Sequence, residues 1–454
     1  MMILFGGIQV IIKKIEICNL HGEYNYKVEF DSKLTFLFGS NGCGKTTILN
    51  ILASIVTGKL YNLVDYVFDT IELQYIDGKS NIGRIKIGIE NTEDDAHEMV
   101  VLFEEEVCRI KDIDNLKERM FRKAEDESLD KVFGTMYPFT QNIKAIFNYV
   151  YLPLNRYGTE MLYDEREYYR YFGRRRYYSQ QQYNTYLNDS LQYVAELIKN
   201  SCININVQEN KINDKFRKEV LSSMIRVSSD MPIRQIIGEI ANFDWDEVLN
   251  SKATYIKTLD EIGVYDEKLK EKIEQFFTEF KEAYNDYQNE KSNERTGIRI
   301  DLAWQYAEFL KIKNVADLAK ENEKIKEKIR RPREMFLEVI NDFFFSSGTD
   351  KKIMISSEGQ VYFDSHNCKL RMTDLSSGEK QIIITFASLI FGLKGKTTGI
   401  FIVDEPEASL HLEWQEKFVP AILKTNENIQ LIFATHSPEM IGEYRRNAVK
   451  LSRE

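Results

Sequence analysis

The stretch Gly39-Ser40-Asn41-Gly42-Cys43-Gly44-Lys45-Thr46 constrains this chain more than any other. The apolar run before it, Leu34-Thr35-Phe36-Leu37-Phe38, reads as a buried strand. Thr47-Ile48-Leu49-Asn50-Ile51-Leu52 after it reads as the first turns of a helix. Glycines let the backbone turn tightly and aim N–H groups inward, and a helix start adds the positive end of its dipole at the same place. G-x4-G-K-T in a strand–loop–helix setting is a phosphate loop. Gly39 to Thr47 are expected to cradle a nucleotide's phosphates. Lys45 would reach the β and γ phosphates and Thr46 would ligate Mg²⁺.

A second group of motifs lies far downstream. Leu375-Ser376-Ser377-Gly378-Glu379-Lys380-Gln381 opens a helix whose buried side carries Ile382, Ile383, Ile384, Phe386 and Leu389. Ser376, Ser377 and Gly378 at a helix N-terminus make a second anion-binding surface. Gly399-Ile400-Phe401-Ile402-Val403-Asp404-Glu405-Pro406 is a buried strand delivering two carboxylates to its C-terminal end, where ligand sites of open α/β sheets lie. Asp404 is the expected metal ligand and Glu405 the residue that positions and polarises water. Leu431-Ile432-Phe433-Ala434-Thr435-His436-Ser437 is a further buried strand ending in a histidine, about thirty residues, one crossover, after the acidic pair.

At 454 residues the chain is expected to hold two or three domains. The net charge of −10 offers no global attraction to nucleic acid or anionic membranes. The five cysteines, Cys18, Cys43, Cys108, Cys202 and Cys368, lie far apart without a CxxC, which argues against a zinc site or disulfide framework and fits a cytoplasmic protein. The apolar start, Met1 to Ile12, lacks the features of a signal peptide and reads as a strand. No stretch has the length of a membrane span.

Taken in order, strands are expected at Ile11 to Asn19 and Tyr24 to Phe30, around a turn at His21-Gly22. Others are expected at Ile71 to Tyr75, Arg84 to Ile89 and Met99 to Phe103, with a turn at Asp77-Gly78. Asn148 to Arg156 reads as a strand entering a loop. Nine tyrosines follow between Tyr157 and Tyr186, interleaved with Arg166, Arg170, Arg174, Arg175 and Arg176. That composition suits a solvated stretch, a protein interface or a nucleic-acid grip. From about Leu187 to Phe345 the pattern is helical and charged. One stripe runs through Ile262, Leu269, Ile273, Phe276, Phe280 and Tyr287. A second runs through Leu310, Val315, Leu318, Ile325 and Ile329 until Pro332 interrupts it. A compact helical lobe or short antiparallel hairpin is expected rather than a long arm. Strand character returns at Lys352 to Ser356 and Gln360 to Phe363. The expected divisions are 1–155, 156–349 and 350–454.

Together these elements resemble the ATP-binding-cassette ATPases of the SMC, Rad50, RecF and OLD branch. The resemblance covers roughly the first 155 and last 105 residues. It implies an α/β fold: an ABC-type ATPase head, a P-loop NTPase, split around a mostly α-helical insertion lobe or short coiled-coil hairpin. In it Gly39 to Thr46 is the Walker A loop, Leu375 to Glu379 the signature and Val403 to Glu405 the Walker B end. Ala408-Ser409-Leu410-His411 is the D-loop and His436 the switch histidine. Lys45, Glu405 and His436 are then the catalytic set, Thr46 and Asp404 the Mg²⁺ ligands, and ATP the nucleotide. The signature departs from the family by having Ser377 where glycine is usual and Glu379 where glutamine is common. The Q-loop position is open between Gln141 and Arg156. The family also implies a homodimer or higher oligomer in which ATP on one copy's Lys45 is covered by Ser376 and Gly378 of another.

Walker A and signature lie about 330 residues apart, which disfavours a transporter subunit. Motif texture and length further resemble the compact ATPases of bacterial antiphage systems such as Septu and PARIS. That implies an ATPase scaffold and sensor controlling an effector in trans, expected to be a nuclease, in response to a phage trigger protein. With eighteen residues after His436, the nuclease domain of OLD proteins is not expected in this chain. The alternative is a DNA-repair or recombination ATPase that clamps DNA, which the acidic balance weighs against.

Overall fold

The structure is a computed structural model that describes residues 10–91, 97–123, 129–152, 182–225, 240, 244–263, 265–292, 300–365, 368–393 and 398–451. In chain order the elements begin with β1 (Ile11–Leu20), β2 (Tyr24–Glu29), β3 (Leu34–Phe38), α1 (Lys45–Val56), β4 (Thr70–Ile76), β5 (Ile82–Asn91), β6 (His97–Phe103) and β7 (Glu106–Ile110). Then come α2 (Leu116–Lys123), α3 (Leu129–Met136), α4 (Phe139–Ile146) and β8 (Tyr149–Leu152). Four long helices follow: α5 (Gln182–Ile225), α6 (Trp245–Ile262), α7 (Glu267–Ser292) and α8 (Ile300–Ser346). The last part holds β9 (Lys352–Ile355), β10 (Val361–Ser365), β11 (Cys368–Leu370), α9 (Ser377–Phe391), β12 (Gly399–Asp404), α10 (Leu412–Thr425), β13 (Ile429–Thr435), α11 (Pro438–Ile441) and β14 (Ala448–Lys450). Residues 1–201 and 334–454 form one compact unit, and 202–333 another.

Among its described residues the first unit has three sheets: antiparallel β2-β1-β4-β5-β6-β7, antiparallel β11-β10-β9, and β14-β3-β13-β12-β8. Every pairing in the last is parallel. Alternation sets the six-stranded sheet: Ile71, Leu73 and Tyr75 of β4 point inward while their neighbours are half-exposed. Continuous apolar runs set the parallel sheet, because its central strands are covered on both faces; β12 and β13 are buried at every residue.

Helix α1 is apolar nearly all round, and Ile48, Leu49, Ile51, Leu52, Ile55 and Val56 are fully buried. It shares one core with Ile15, Ile71, Leu73 and Ile87 of the antiparallel sheet and Ile400, Ile402 and Ile432 of the parallel sheet. The opposite face of the parallel sheet is aromatic. Phe36 stacks on Phe433, Phe418 packs on Phe433, Phe386 on Phe418, and Phe343 on Phe386 and Trp414.

Within the second unit, Glu209 of α5 pairs with Arg330 of α8, while Phe216 and Val220 pack near Val315. These contacts run in opposite directions along the two helices, so α5 and α8 are antiparallel. A core of Val248, Leu259, Ile273, Phe277, Phe280, Leu302, Tyr306 and Phe309 joins α6, α7 and the start of α8.

Two expectations need correction here. Helix α8 runs through Pro332 without a break. A proline removes one hydrogen bond and crowds the preceding turn; here its ring is half-buried, and the fully buried Phe336 one turn later anchors the helix as it continues. The stripe from Ile262 to Tyr287 is not one helix. Gly263, at φ +79°, caps α6, and the Asp266 carboxylate accepts from Leu269 N–H at 2.7 Å as α7 begins. The Tyr157–Tyr186 stretch, with its arginines, and Arg156 lie outside the described residues, apart from the backbone of the first turns of α5. Among the described residues no helix is long and apolar enough to cross a membrane. The first unit is thus α/β, with a strand–loop–helix phosphate loop between β3 and α1, and the second is helical.

Candidate functional site

Register places the candidate residues. Phe38 of β3 pairs with Thr435, Ala434 with Asp404, and Val403 with Leu152. The carboxyl ends of β3, β13, β12 and β8 are therefore level, and the segments beginning at Gly39, His436 and Glu405 leave the same edge of the sheet.

The loop before α1 needs its glycines. Gly42 and Gly44 have φ of +77° and +96°, a region that costs other residues energy. A β-carbon on Gly44 would also lie 2.6 Å from the Tyr26 hydroxyl. That hydroxyl donates to Cys43 O at 3.1 Å, anchoring the loop to β2. Lys45 is only 4% exposed. Its Nζ donates to Gly39 O at 2.9 Å and Ser40 O at 3.1 Å, and lies 3.4 Å from His436 Nδ1. Ser40, Asn41 and Thr46 are exposed, and Thr47 is half-buried.

Asp404 is 2% exposed, and neither carboxylate oxygen has a hydrogen-bond partner. Burial pushes its carboxyl up to about 6. The nearby Thr46 hydroxyl opposes this, Glu405 and Glu407 add to it, and Lys45 opposes it. A buried carboxylate without donors beside a threonine hydroxyl is an oxygen donor set suited to a hard divalent cation. These residues fit Mg²⁺ held jointly with phosphate oxygens.

Glu405 has φ +43° and ψ +57°, the left-handed region that a residue with a β-carbon rarely adopts. Its carboxylate lies 3.4 Å from His436 Nε2. His436 thus has one ring nitrogen toward Lys45 and the other toward Glu405.

Ser376 caps α9: its hydroxyl accepts from Glu379 N–H at 3.3 Å, and the Glu379 carboxylate accepts from Ser376 N–H at 2.7 Å. This leaves Ser376 and Ser377 exposed at the tip. Ser377 is already helical, so glycine is not required there. Glu379 is buried and takes Lys351 Nζ at 2.8 Å and 3.1 Å, which balances the charge that a glutamine would lack. Burial pushes the Glu379 carboxyl up, but Lys351 and the Ser376 bonds outweigh it and hold the group below its ordinary value. A β-carbon on Gly378 would lie 2.6 Å from Ser409 O, so glycine is needed where this helix start meets the 406–409 turn.

The edge therefore gathers Lys45, Thr46, Asp404, Glu405 and His436, while Ser376, Ser377 and Gly378 sit on α9 against Ser409. Gln141 lies in α4, its side chain against Gly134 of α3, ahead of β8 rather than at the strand's carboxyl end. Sequence reading missed Tyr26, Lys351, Glu407 and Gln415. Glu407 Oε1 accepts from Thr435 Oγ1 at 2.6 Å, His436 N–H at 2.6 Å and Ser437 N–H at 3.2 Å. The fourth position of Asp404-Glu405-Pro406-Glu407 was the available signal for it.

A family model described as AAA ATPase domain matches residues 11–441. A retron Ec83 probable ATPase from Escherichia coli is 36% identical over 88 residues, covering 17% of this chain and 16% of that protein. The Septu protein PtuA of Bacillus mycoides (strain KBAB4) is 31% identical over 84 residues, covering 17% and 12%. Each match spans less than a fifth of the relative's length. The Smc head domain of Pyrococcus furiosus, solved with an extended coiled coil and bound to the C-terminal domain of ScpA, aligns over 98% of this chain and 94% of that chain. The identity is 10% and the TM-score 0.42. Matched across nearly its whole length, and bearing the strand-edge constellation described above, the chain belongs to the AAA ATPase domain family.

Proposed function

We propose that this protein binds and hydrolyses ATP with Mg²⁺, pairs with a second copy around the nucleotide, and serves as the ATPase scaffold and sensor of an antiphage defence complex. Its effector, a nuclease, is supplied in trans, and a phage trigger protein acts on the assembly. The observation that carries the catalytic part is the buried, donor-free carboxylate of Asp404 on the edge that bears Lys45, Glu405 and His436.

Lys45 and the N–H groups from Gly39 to Thr47 bind the phosphates. Thr46 and Asp404 hold Mg²⁺, which neutralises phosphate charge when bound. Glu405 orients a water and takes its proton as the water oxygen bonds to the γ-phosphorus and the bond to ADP breaks. His436 holds the Glu405 carboxylate beside Lys45. Ser376, Ser377 and Gly378 have no role within their own copy's loop; Ser376 and Ser377, exposed at a helix start that Gly378 seats against the 406–409 turn, suit the γ-phosphate bound to another copy. The proposed divisions are a head from 1–155 and 350–454 and a helical insertion between them. The resemblance of the retron and Septu proteins to this chain supports the defence reading.

The test is Glu405→Gln with Mg·ATP. It is expected to bind ATP, turn over about 10²-fold or more slowly, and accumulate as a dimer by light scattering. Normal turnover would show that Glu405 is not the base. Salt-dependent DNA binding without effector association would turn the reading to a DNA clamp.

A further inference from the structure

We infer that Glu407 and Gln415 are positioning residues that make the 405–410 turn and the 435–437 segment one mechanical unit, so that a phosphate of a second copy engaged at the start of α9, which meets the turn at Ser409, is felt at His436. This rests on the composite-site reading above and names how that site is regulated.

Two side chains bridge the segments. Glu407 Oε1 collects the Thr435 hydroxyl and the N–H groups of His436 and Ser437, at 2.6, 2.6 and 3.2 Å. Gln415 donates its amide to Leu410 O at 2.8 Å and accepts the Ser437 hydroxyl at 2.7 Å. The backbone adds Glu405 N–H to Ala434 O at 2.8 Å. The turn's other side is the Ser409 carbonyl, which leaves no room for a β-carbon on Gly378. The start of α9, the turn, and the His436 backbone are therefore joined by short, direct contacts. His436 in turn stands between Lys45 and Glu405.

Bonds to a carboxylate are charge-assisted and short, so the turn does not shift without drawing on the His436 N–H. Glu407 keeps its second oxygen buried and without a partner. A group needed only for packing gains nothing from that cost. Both are bonded to the 435–437 segment rather than to Lys45 or Glu405, so both are proposed to act through His436.

The experiment measures ATP affinity, dimerisation with Mg·ATP, and turnover against protein concentration for wild type, Glu407→Ala, Glu407→Gln and Gln415→Ala. Wild-type turnover per chain is expected to rise with concentration as dimers form. Glu407→Ala is expected to keep its ATP affinity and its dimer but to lose the concentration-dependent rise, lowering kcat about tenfold or more with KM little changed. Glu407→Gln, which keeps an acceptor but not the charge, should recover part of that rise. Gln415→Ala should show the milder loss of one bridge. If Glu407→Ala does not fold, Glu407→Gln and Gln415→Ala decide the matter. Wild-type kcat in variants that dimerise normally overturns this inference alone. A wild type that never dimerises with ATP overturns the composite site and the inference together. A loss confined to KM or thermal stability also overturns the inference, leaving Glu407 a packing residue.

Discussion

The His436 ring stands 3.4 Å from the Glu405 carboxylate through Nε2 and, through Nδ1, 3.4 Å from the Lys45 ammonium. One imidazole thus spaces Lys45, the proposed phosphate-binding cation, from Glu405, the proposed water-orienting acid. His436→Ala is expected to leave ATP affinity nearly unchanged and to lower kcat about 10²-fold, the cost of losing one organised polar group at a reacting centre. A fluorescent nucleotide titration beside steady-state turnover checks this. Equal losses in both would instead mark His436 as part of the binding surface.

Asp404 gives a prediction of opposite sign for stability and activity. Its carboxyl is pushed up to about 6 by burial. Above that pH the folded protein holds an ionised group it would more readily keep neutral. Asp404→Asn is therefore expected to raise stability in Mg²⁺-free buffer at pH 8, by about 1–3 kcal/mol, and to abolish Mg²⁺-dependent turnover. The gain should fade as the pH falls through 6 toward 4, because the wild-type carboxyl takes up its proton in the folded state first. Destabilisation at pH 8 would show that the carboxylate has a structural partner.

The buried Glu379 behaves in the other direction. Its carboxyl is held below the ordinary value, so its contribution is present above the unfolded pKa and is lost as the pH falls through the lower, folded one. Lys351→Met is expected to move acid unfolding to higher pH and to cost about 1–3 kcal/mol at pH 7. Adding Glu379→Gln, the residue common in related signatures, should recover most of that loss. Simple additivity in this cycle would mean that the two residues do not act as a pair.

Much of the head was legible because its signals are local. The glycines of Gly39 to Gly44, the continuous apolar runs of β3, β12 and β13, and the acidic end of β12 each name their own structure. The pairing of β12 with β13, which brings His436 beside Glu405, followed from one crossover of ordinary length. The missed features are non-local or too short to show a period. Glu407 is bonded to Thr435, and Lys351 to Glu379, each 28 residues away. Gln415 recognises a backbone carbonyl and a serine hydroxyl, neither of which leaves a sequence mark. β14 has three residues. Pro332 and Gly263 show the two ways a helical pattern misleads: a proline that flanking packing carries through, and a glycine cap that divides one apparent stripe between two helices.

Complementation between defective copies tests the central claim most directly. Lys45→Ala removes phosphate binding from a copy's own loop, and Ser377→Glu places a negative charge at its signature tip, where the helix dipole tolerates it. Each alone is expected to be inactive. When the two are mixed, half the dimers pair unlike copies, and each such dimer holds one intact composite site. The mixture is expected to recover roughly a quarter of wild-type turnover. A mixture no more active than its parents would contradict a site shared between two copies.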